Sequence, residues 1–219
     1  MRIITGIYKG RRFDIPRTFK ARPTTDFAKE NIFNVLNSYI DLEGVRALDL
    51  FAGTGSISLE LLSRGCSQVV SVEADRDHAR FIGECVRKLG VTNHQLIRGD
   101  VFRYLKSAQK SSTLTRGSAA IARDAVALPA AQQPYTAEGP YTPQSGQARG
   151  SAAFSFIFAD PPYALPNLPD IPDLVLQSGI LAPGGVFVFE HGKQNGFSSH
   201  PCFREHRAYG SVNFTIFTT

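Results

Sequence analysis

From Val45 to the C-terminus, short, nearly continuous apolar runs alternate with segments of helical spacing, and no other feature restricts the fold as much. "VRALDLF", "QVVSVEA", "HQLIRGD", "FSFIFAD" and "GGVFVFEH" read as strands. "SISLELLSRG", "RDHARFIGECVRKLG" and "IPDLVLQSGIL" read as helices between them. Strands apolar on both faces need cover on both faces, which helical crossovers between parallel strands provide. The closing "REHRAYGSVNFTIFTT" reads as two strands hinged at Gly210. That link is too short for a crossover, so at least one of the two runs antiparallel. The expected class is α/β: a Rossmann-like, mostly parallel seven-stranded sheet with an antiparallel C-terminal strand.

Two segments stand outside the alternation. Residues 2–15 alternate apolar and polar with a turn at Lys9-Gly10, which predicts a short basic hairpin. "ARPTTD" breaks it, with Thr25 or Asp26 available as a helix cap. Ala28, Ile32, Val35, Leu36 and Tyr39 then follow helical spacing. Residues 107–152 are polar and small, with six charged side chains, and cannot bury enough surface to offset the cost of ordering. A flexible insertion is expected there. The division that follows is a basic N-terminal extension over 1–40 and a main domain over 41–219.

Charge is distributed unevenly. Residues 1–22 carry seven basic side chains and one acid, a net of +6, whereas the remainder has 17 basic and 18 acidic residues. Such a segment is either a solvated terminus or an arm for a polyanion, whose phosphate contacts release counterions. No apolar run approaches the ~18 residues of a membrane span, and the basic N-terminus lacks the apolar stretch of a secretory signal. A cytoplasmic protein is expected. Three cysteines, Cys66, Cys85 and Cys202, form no CxxC pair, which suits reduced thiols. His200, Cys202 and His206 have no standard zinc spacing, so no metal is expected.

The chemistry concentrates at strand ends. In "LDLFAGTGS" a strand runs into a turn where Gly53 and Gly55 let a ligand lie against the backbone. Glu73 ends the next strand, where a carboxylate can take the two hydroxyls of a ribose. A dinucleotide site would want a third glycine where Ser58 stands, and Asp49 beside the turn would repel a pyrophosphate. An acid there suits a positively charged ligand instead. Asp100, after the third strand, can accept from an adenine amine. Together these acids outline S-adenosylmethionine, with Phe51 and Val101 completing the candidate binding set. The chain contains no phosphate-loop lysine motif, which disfavours an NTPase.

"FADPPY", residues 158–163, ends the fourth strand in an acid, two prolines and an aromatic ring. In a doubly wound sheet that end faces the ligand crevice. An exocyclic base amine is a poor nucleophile because its lone pair is delocalised into the ring. Asp160 and the Pro161 carbonyl can accept its two hydrogens and localise that pair on nitrogen. Pro161 and Pro162 stiffen the backbone, and Tyr163 can stack on a base drawn out of its helix. Asp160, Pro161, Pro162 and Tyr163 are therefore the candidate catalytic residues. The motif serves a guanine or an adenine amine equally.

Beyond these motifs, "RIITGIYKGRRF", "ARPTTDFAKENIFNVL", "ALDLFAGTGSISLELLSRG", "VVSVEAD", "FSFIFADPPY" and "AYGSVNFTIF" resemble the RsmD-type family of bacterial methyltransferases. These stretches cover nearly everything outside 107–152, a segment that the family's compact form lacks. The resemblance implies an S-adenosylmethionine-dependent methyltransferase fold and modification of a guanine N2 in small-subunit ribosomal RNA. It implies donor binding at Gly53, Gly55, Glu73 and Asp100, and RNA contacts by Arg2, Lys9, Arg11, Arg12 and Arg22. The expected substrate is an assembled or assembling small ribosomal subunit, met by a monomer. The alternative is adenine-N6 methylation of DNA or RNA. A nicotinamide oxidoreductase leaves "DPPY" unexplained, and a non-catalytic RNA-binding protein leaves Glu73, Asp100 and Asp160 without a role.

Overall fold

In the computed structural model of the chain, the described residues are 1–19, 25–117 and 153–219. Seven strands form one sheet in the order β3-β2-β1-β4-β5-β7-β6. They are β1 (Arg46–Leu50), β2 (Gln68–Glu73), β3 (His94–Arg98), β4 (Phe154–Ala159), β5 (Leu181–His191), β6 (Phe203–Tyr209) and β7 (Val212–Thr218). The first five pair in parallel, and β7 runs antiparallel between β5 and β6. The expected sheet is present, its reversed strand enforced by the tight turn at Gly210, where φ is +66°.

Strand alternation builds the two layers. Phe156 and Phe158 of β4 belong to one buried cluster, shared with α1 (Asp26–Leu36), α2 (Ser56–Ser63) and α3 (Arg76–Leu89). Ile157 and Ala159 belong to the other, shared with α4 (Val101–Gly117) and α5 (Ile171–Gln177). All four strand side chains have no exposed surface, as expected for a central strand of a sheet covered twice. The helix ends follow local chemistry. The Thr25 hydroxyl accepts from the Ala28 amide at 3.2 Å and caps α1. Asp75 caps α3 through the Asp77 and His78 amides, and Gly90 closes it at φ +69°.

The N-terminal hairpin forms as expected: Arg2 and Arg12 make an antiparallel bridge, flanked by bonds from the Ile3 amide to the Arg11 carbonyl (3.0 Å), the Gly10 amide to the Ile3 carbonyl (2.9 Å) and the Phe13 amide to the Met1 carbonyl (3.0 Å). Its tip rests on α2: the Ile7 amide donates to the Ser63 carbonyl at 2.8 Å and the Tyr8 amide to Ser63 Oγ at 3.0 Å. Gly6 is essential to that approach, since a β-carbon there would lie 1.7 Å from the Ser63 carbonyl oxygen. Ile3 and Phe13 are buried in the same cluster as α1 and α2. One expectation needs correction: residues 107–117, expected to begin a flexible insertion, continue α4. Once Val101 and Leu105 have anchored the first turns in the core, each added residue costs little, because nucleation is the expensive step. The remainder of the insertion, 118–152, lies outside the described residues.

Candidate active site

The strand order reverses between β1 and β4, and a doubly wound sheet opens a crevice at that point. A cleft of about 750 Å³ lies there. The backbone leaves β1 through Phe51, which adopts a φ of +60°, a left-handed conformation uncommon for a residue with a side chain. Its ring stands edge-on to Phe102 at 6.2 Å, across the cleft wall. Gly53 follows at φ +54°, and its amide donates to Glu73 Oε2 at 2.7 Å. The other oxygen of Glu73 accepts from the Asp75 amide at 2.8 Å. Both oxygens are thereby oriented, and each keeps a second acceptor site.

Gly55 plays a different part from Gly53. It caps α2 at φ +75° and is packed so closely that a β-carbon would meet Ile82 Cγ1 at 2.9 Å. It shapes the loop from beneath and is not among the cleft-lining residues. Ser58, at the position of the missing third glycine, donates both its amide (3.0 Å) and its hydroxyl to Asp49 Oδ2. The Ser58 hydroxyl also meets Ser71 Oγ at 2.6 Å, which in turn meets His94 Nε2 at 2.8 Å. This buried polar chain crosses β1, α2, β2 and β3. Burial pushes the Asp49 carboxyl up to about 7, against the opposing pull of the Ser58 donors. Burial likewise pushes His94 down to about 4, so its ring is neutral.

Asp100 and Val101 form the next part of the wall. Asp100 Oδ1 accepts the Arg103 amide at 2.9 Å, which makes this exposed acid a helix cap as well. Opposite them, Asp160, Pro161, Pro162 and Tyr163 continue from β4 into the cleft. The Asp160 amide donates to the Leu50 carbonyl at 3.4 Å, which ties this turn to the end of β1. Tyr163 is 39% exposed, and its hydroxyl donates to Glu190 Oε1 at 3.0 Å. Burial, ahead of the nearby Glu190 and Asp160 charges, raises the Tyr163 pKa, so the phenol stays protonated.

The cleft thus gathers Asp49, Phe51, Gly53, Glu73, Asp100, Val101 and the Asp160–Tyr163 turn. With Asp75 and Glu190, six carboxyl groups line it, and among its described lining residues there is no lysine or arginine. Such a wall attracts a cation and repels a polyphosphate. Asp75 and Glu190 are the acids that the motifs alone did not single out. The signal was present: Glu190 ends an apolar strand in "VFVFEH" as Asp160 ends one in "FSFIFAD".

The predicted basic arm divides. Arg2 and Arg12 line a second, polar cleft of about 480 Å³, which shares Thr25 and Ser56 with the first. Arg2 also pairs with Asp26 at 3.2 Å. Arg11 lies elsewhere, its guanidinium donating to the Lys88 carbonyl at 3.3 Å at the end of α3. Lys9 is exposed on the turn, and Arg22 lies outside the described residues. Cys66 and Cys85 are buried thiols, pushed up to about 12 by that burial. Among the described residues no cluster of His, Cys, Asp or Glu could hold a metal, and no helix is long and apolar enough to cross a membrane.

A crevice at the reversal of this strand order, with a glycine turn on one side and strand-end acids on the other, defines a Rossmann-like methyltransferase fold. More narrowly, the chain belongs to the family described as "Conserved hypothetical protein 95", the RsmD-type family, whose model matches residues 1–116 and 131–218. The internal unmatched stretch, 117–130, falls inside the segment 107–152 that the sequence sets apart. The Bacillus subtilis protein named "Putative rRNA methyltransferase YlbH" is 31% identical over 195 residues, 89% of this chain and 84% of its own. The Escherichia coli K12 protein named "Ribosomal RNA small subunit methyltransferase D" is 26% identical, covering 99% of this chain and 89% of its own. The solved structure of the Thermus thermophilus hypothetical protein TTHA0928 superposes with a TM-score of 0.72. It is 25% identical, covering 100% of this chain and 99% of its own.

Proposed function

We propose that the chain is an S-adenosylmethionine-dependent methyltransferase that modifies the N2 amine of a guanine in small-subunit ribosomal RNA. The observation that carries this reading is the Asp160–Tyr163 turn standing in one acid-lined cleft with the glycine turn and Glu73. The wall suits the donor: a β-carbon on Gly53 would meet nothing nearer than the Phe51 carbonyl oxygen at 3.8 Å, so the backbone there lies open to a ligand. Glu73 presents two oriented oxygens to a ribose, and the acidic wall favours a ligand carrying ammonium and sulfonium charge. When bound, that group supplies an electrophilic methyl on sulfur.

The protein's own residues prepare the amine. Asp160 and the Pro161 carbonyl accept its two hydrogens, which localises the nitrogen lone pair toward the donor. The amine proton released on methylation passes to an acceptor at this turn or to solvent. Tyr163 offers a half-exposed ring for stacking, worth about 1–3 kcal/mol per base, comparable to the cost of extruding the nucleotide. Holding both reactants in line supplies most of the remaining rate. Arg2 and Arg12, which line the adjoining cleft, would meet phosphates as the strand enters. A substrate whose folded shape supplies much of the specificity, such as a small ribosomal subunit, suits so small an arm.

The test is mass spectrometry of nucleosides after incubating the protein and S-adenosylmethionine with undermethylated small subunits. N2-methylguanosine is expected, and N6-methyladenosine would replace the reading with adenine methylation. Asp160→Ala should abolish methylation while S-adenosylmethionine still binds by calorimetry. Full activity in that variant removes the role given to Asp160. A protein that binds NADH and not S-adenosylmethionine would refute the reading altogether.

A further inference from the structure

Phe189 pairs with Ala159 in parallel register, so Glu190 and Asp160 follow one step further along neighbouring strands. The two acids therefore reach the same sheet edge side by side, and both line the cleft. Glu190 is 4% exposed. A carboxylate is expensive to bury unless donors satisfy it. The Tyr163 hydroxyl donates to Oε1, and a carboxylate can accept several donors at once, so the same group can also serve a ligand N–H.

The two candidate bases differ beside their amines. Guanine carries an N1–H next to its N2 amine, two adjacent donors. Adenine carries a bare N1 lone pair next to its N6 amine. A carboxylate beside the amine grip complements the first and repels the second. With the amine held by Asp160 and Pro161, the next group along that base edge falls to the next strand, β5.

We propose that Glu190 is a specificity-determining residue that selects guanine by accepting its N1–H. The inference rests on the guanine-N2 reading above. It also explains how a motif indifferent to base identity, Asp-Pro-Pro-Tyr, acts on only one base.

The experiment compares target bases at the guanine mapped in the wild-type reaction, installed by ligating synthetic RNA into the subunit RNA. 2-Aminopurine keeps the N2 amine but has a lone pair at N1. 6-Thioguanine keeps N1–H and changes only the neighbouring oxygen, which separates the two losses. Wild-type kcat/KM should fall about 5- to 150-fold from guanine to 2-aminopurine, the discrimination a good base contact provides. 6-Thioguanine should stay near guanine. Glu190→Gln should bring the guanine to 2-aminopurine ratio to one or below, because an amide N–H can donate to the N1 lone pair. Tyr163→Phe should slow both bases alike and keep the ratio.

Equal wild-type rates on guanine and 2-aminopurine overturn the proposal, and that arm needs no variant to fold. A Glu190→Gln enzyme that keeps the wild-type ratio also overturns it. So does a Tyr163→Phe enzyme that loses the ratio, since Glu190 would then act only through the tyrosine. A wild-type product other than N2-methylguanosine is a failure of the functional reading itself and is seen before any analogue is used.

Discussion

Glu60 offers a stringent test of how the basic arm is held. Its side chain is fully buried on α2, with Lys29 Nζ, equally buried, 3.7 Å from Oε2. Oε2 also accepts the Ile4 amide at 2.8 Å, and Oε1 accepts the Thr5 amide and Arg64 Nε, each at 3.0 Å. Lys29 Nζ in turn donates to the Arg2 carbonyl at 2.6 Å and to Ser56 Oγ at 3.1 Å. One ion pair thus joins the arm, α1 and the start of the helix that follows the glycine turn. Burial lowers the Lys29 pKa, and Glu60 is the main opposing influence. Glu60→Gln keeps the shape and removes the charge, leaving Lys29 without its counterion. Breaking a buried pair in this way costs about 3–5 kcal/mol, a large share of the roughly 5–15 kcal/mol by which proteins are stable. Urea denaturation should show that loss, and hydrogen exchange should show the Ile4 and Thr5 amides opening first. Adding Lys29→Met should recover part of the stability, because removing both charges also removes the desolvation cost. A Glu60→Gln protein within about 1 kcal/mol of wild type, with the Ile4 amide equally protected, would refute the reasoning.

Gly55→Ala should lose about 2–5 kcal/mol in the same denaturation assay, combining the left-handed φ with the overlap against Ile82. Stability unchanged within about 0.5 kcal/mol, the scatter expected for surface substitutions, would show that the loop tolerates a β-carbon. Asp49 predicts a pH effect. Its folded pKa of about 7 lies above the ordinary 3.8, so the folded state holds the proton more tightly. Its contribution is therefore favourable at low pH and is lost as pH rises through 3.8 to about 7. Asp49→Asn should abolish that dependence, so its stability relative to wild type should improve by about 2–3 kcal/mol between roughly pH 5 and 8. Parallel stability–pH curves for the two proteins would sink the assignment.

Much of the architecture was legible along the chain because each element carried its own period. The continuous apolar run of "FSFIFAD", the Gly90 stop of α3 and the tight turn at Gly210 are local, and a local signal survives without neighbours. The site was half legible for a related reason. In a parallel sheet, side chains that end apolar strands come to one edge, so Glu73 and Asp160 could be brought together on paper. Tyr163 and the glycines followed from their motifs. Where reading went wrong, at residues 107–117, the outcome was decided by helix propagation from an anchored turn.

The sequence by itself determined a doubly wound sheet, a glycine turn after its first strand and an acid-diproline-tyrosine end to its fourth, because those are matters of periodicity and of residue type. Only the tertiary structure decided which groups meet. It placed Asp49 behind Ser58, Gly55 against Ile82, the arm on Glu60 and Lys29, and Glu190 under Tyr163. Most of these pairings link residues far apart in sequence, and no local period encodes them. They arise because burying both faces of one sheet leaves each polar group only the partners that the packing brings within reach.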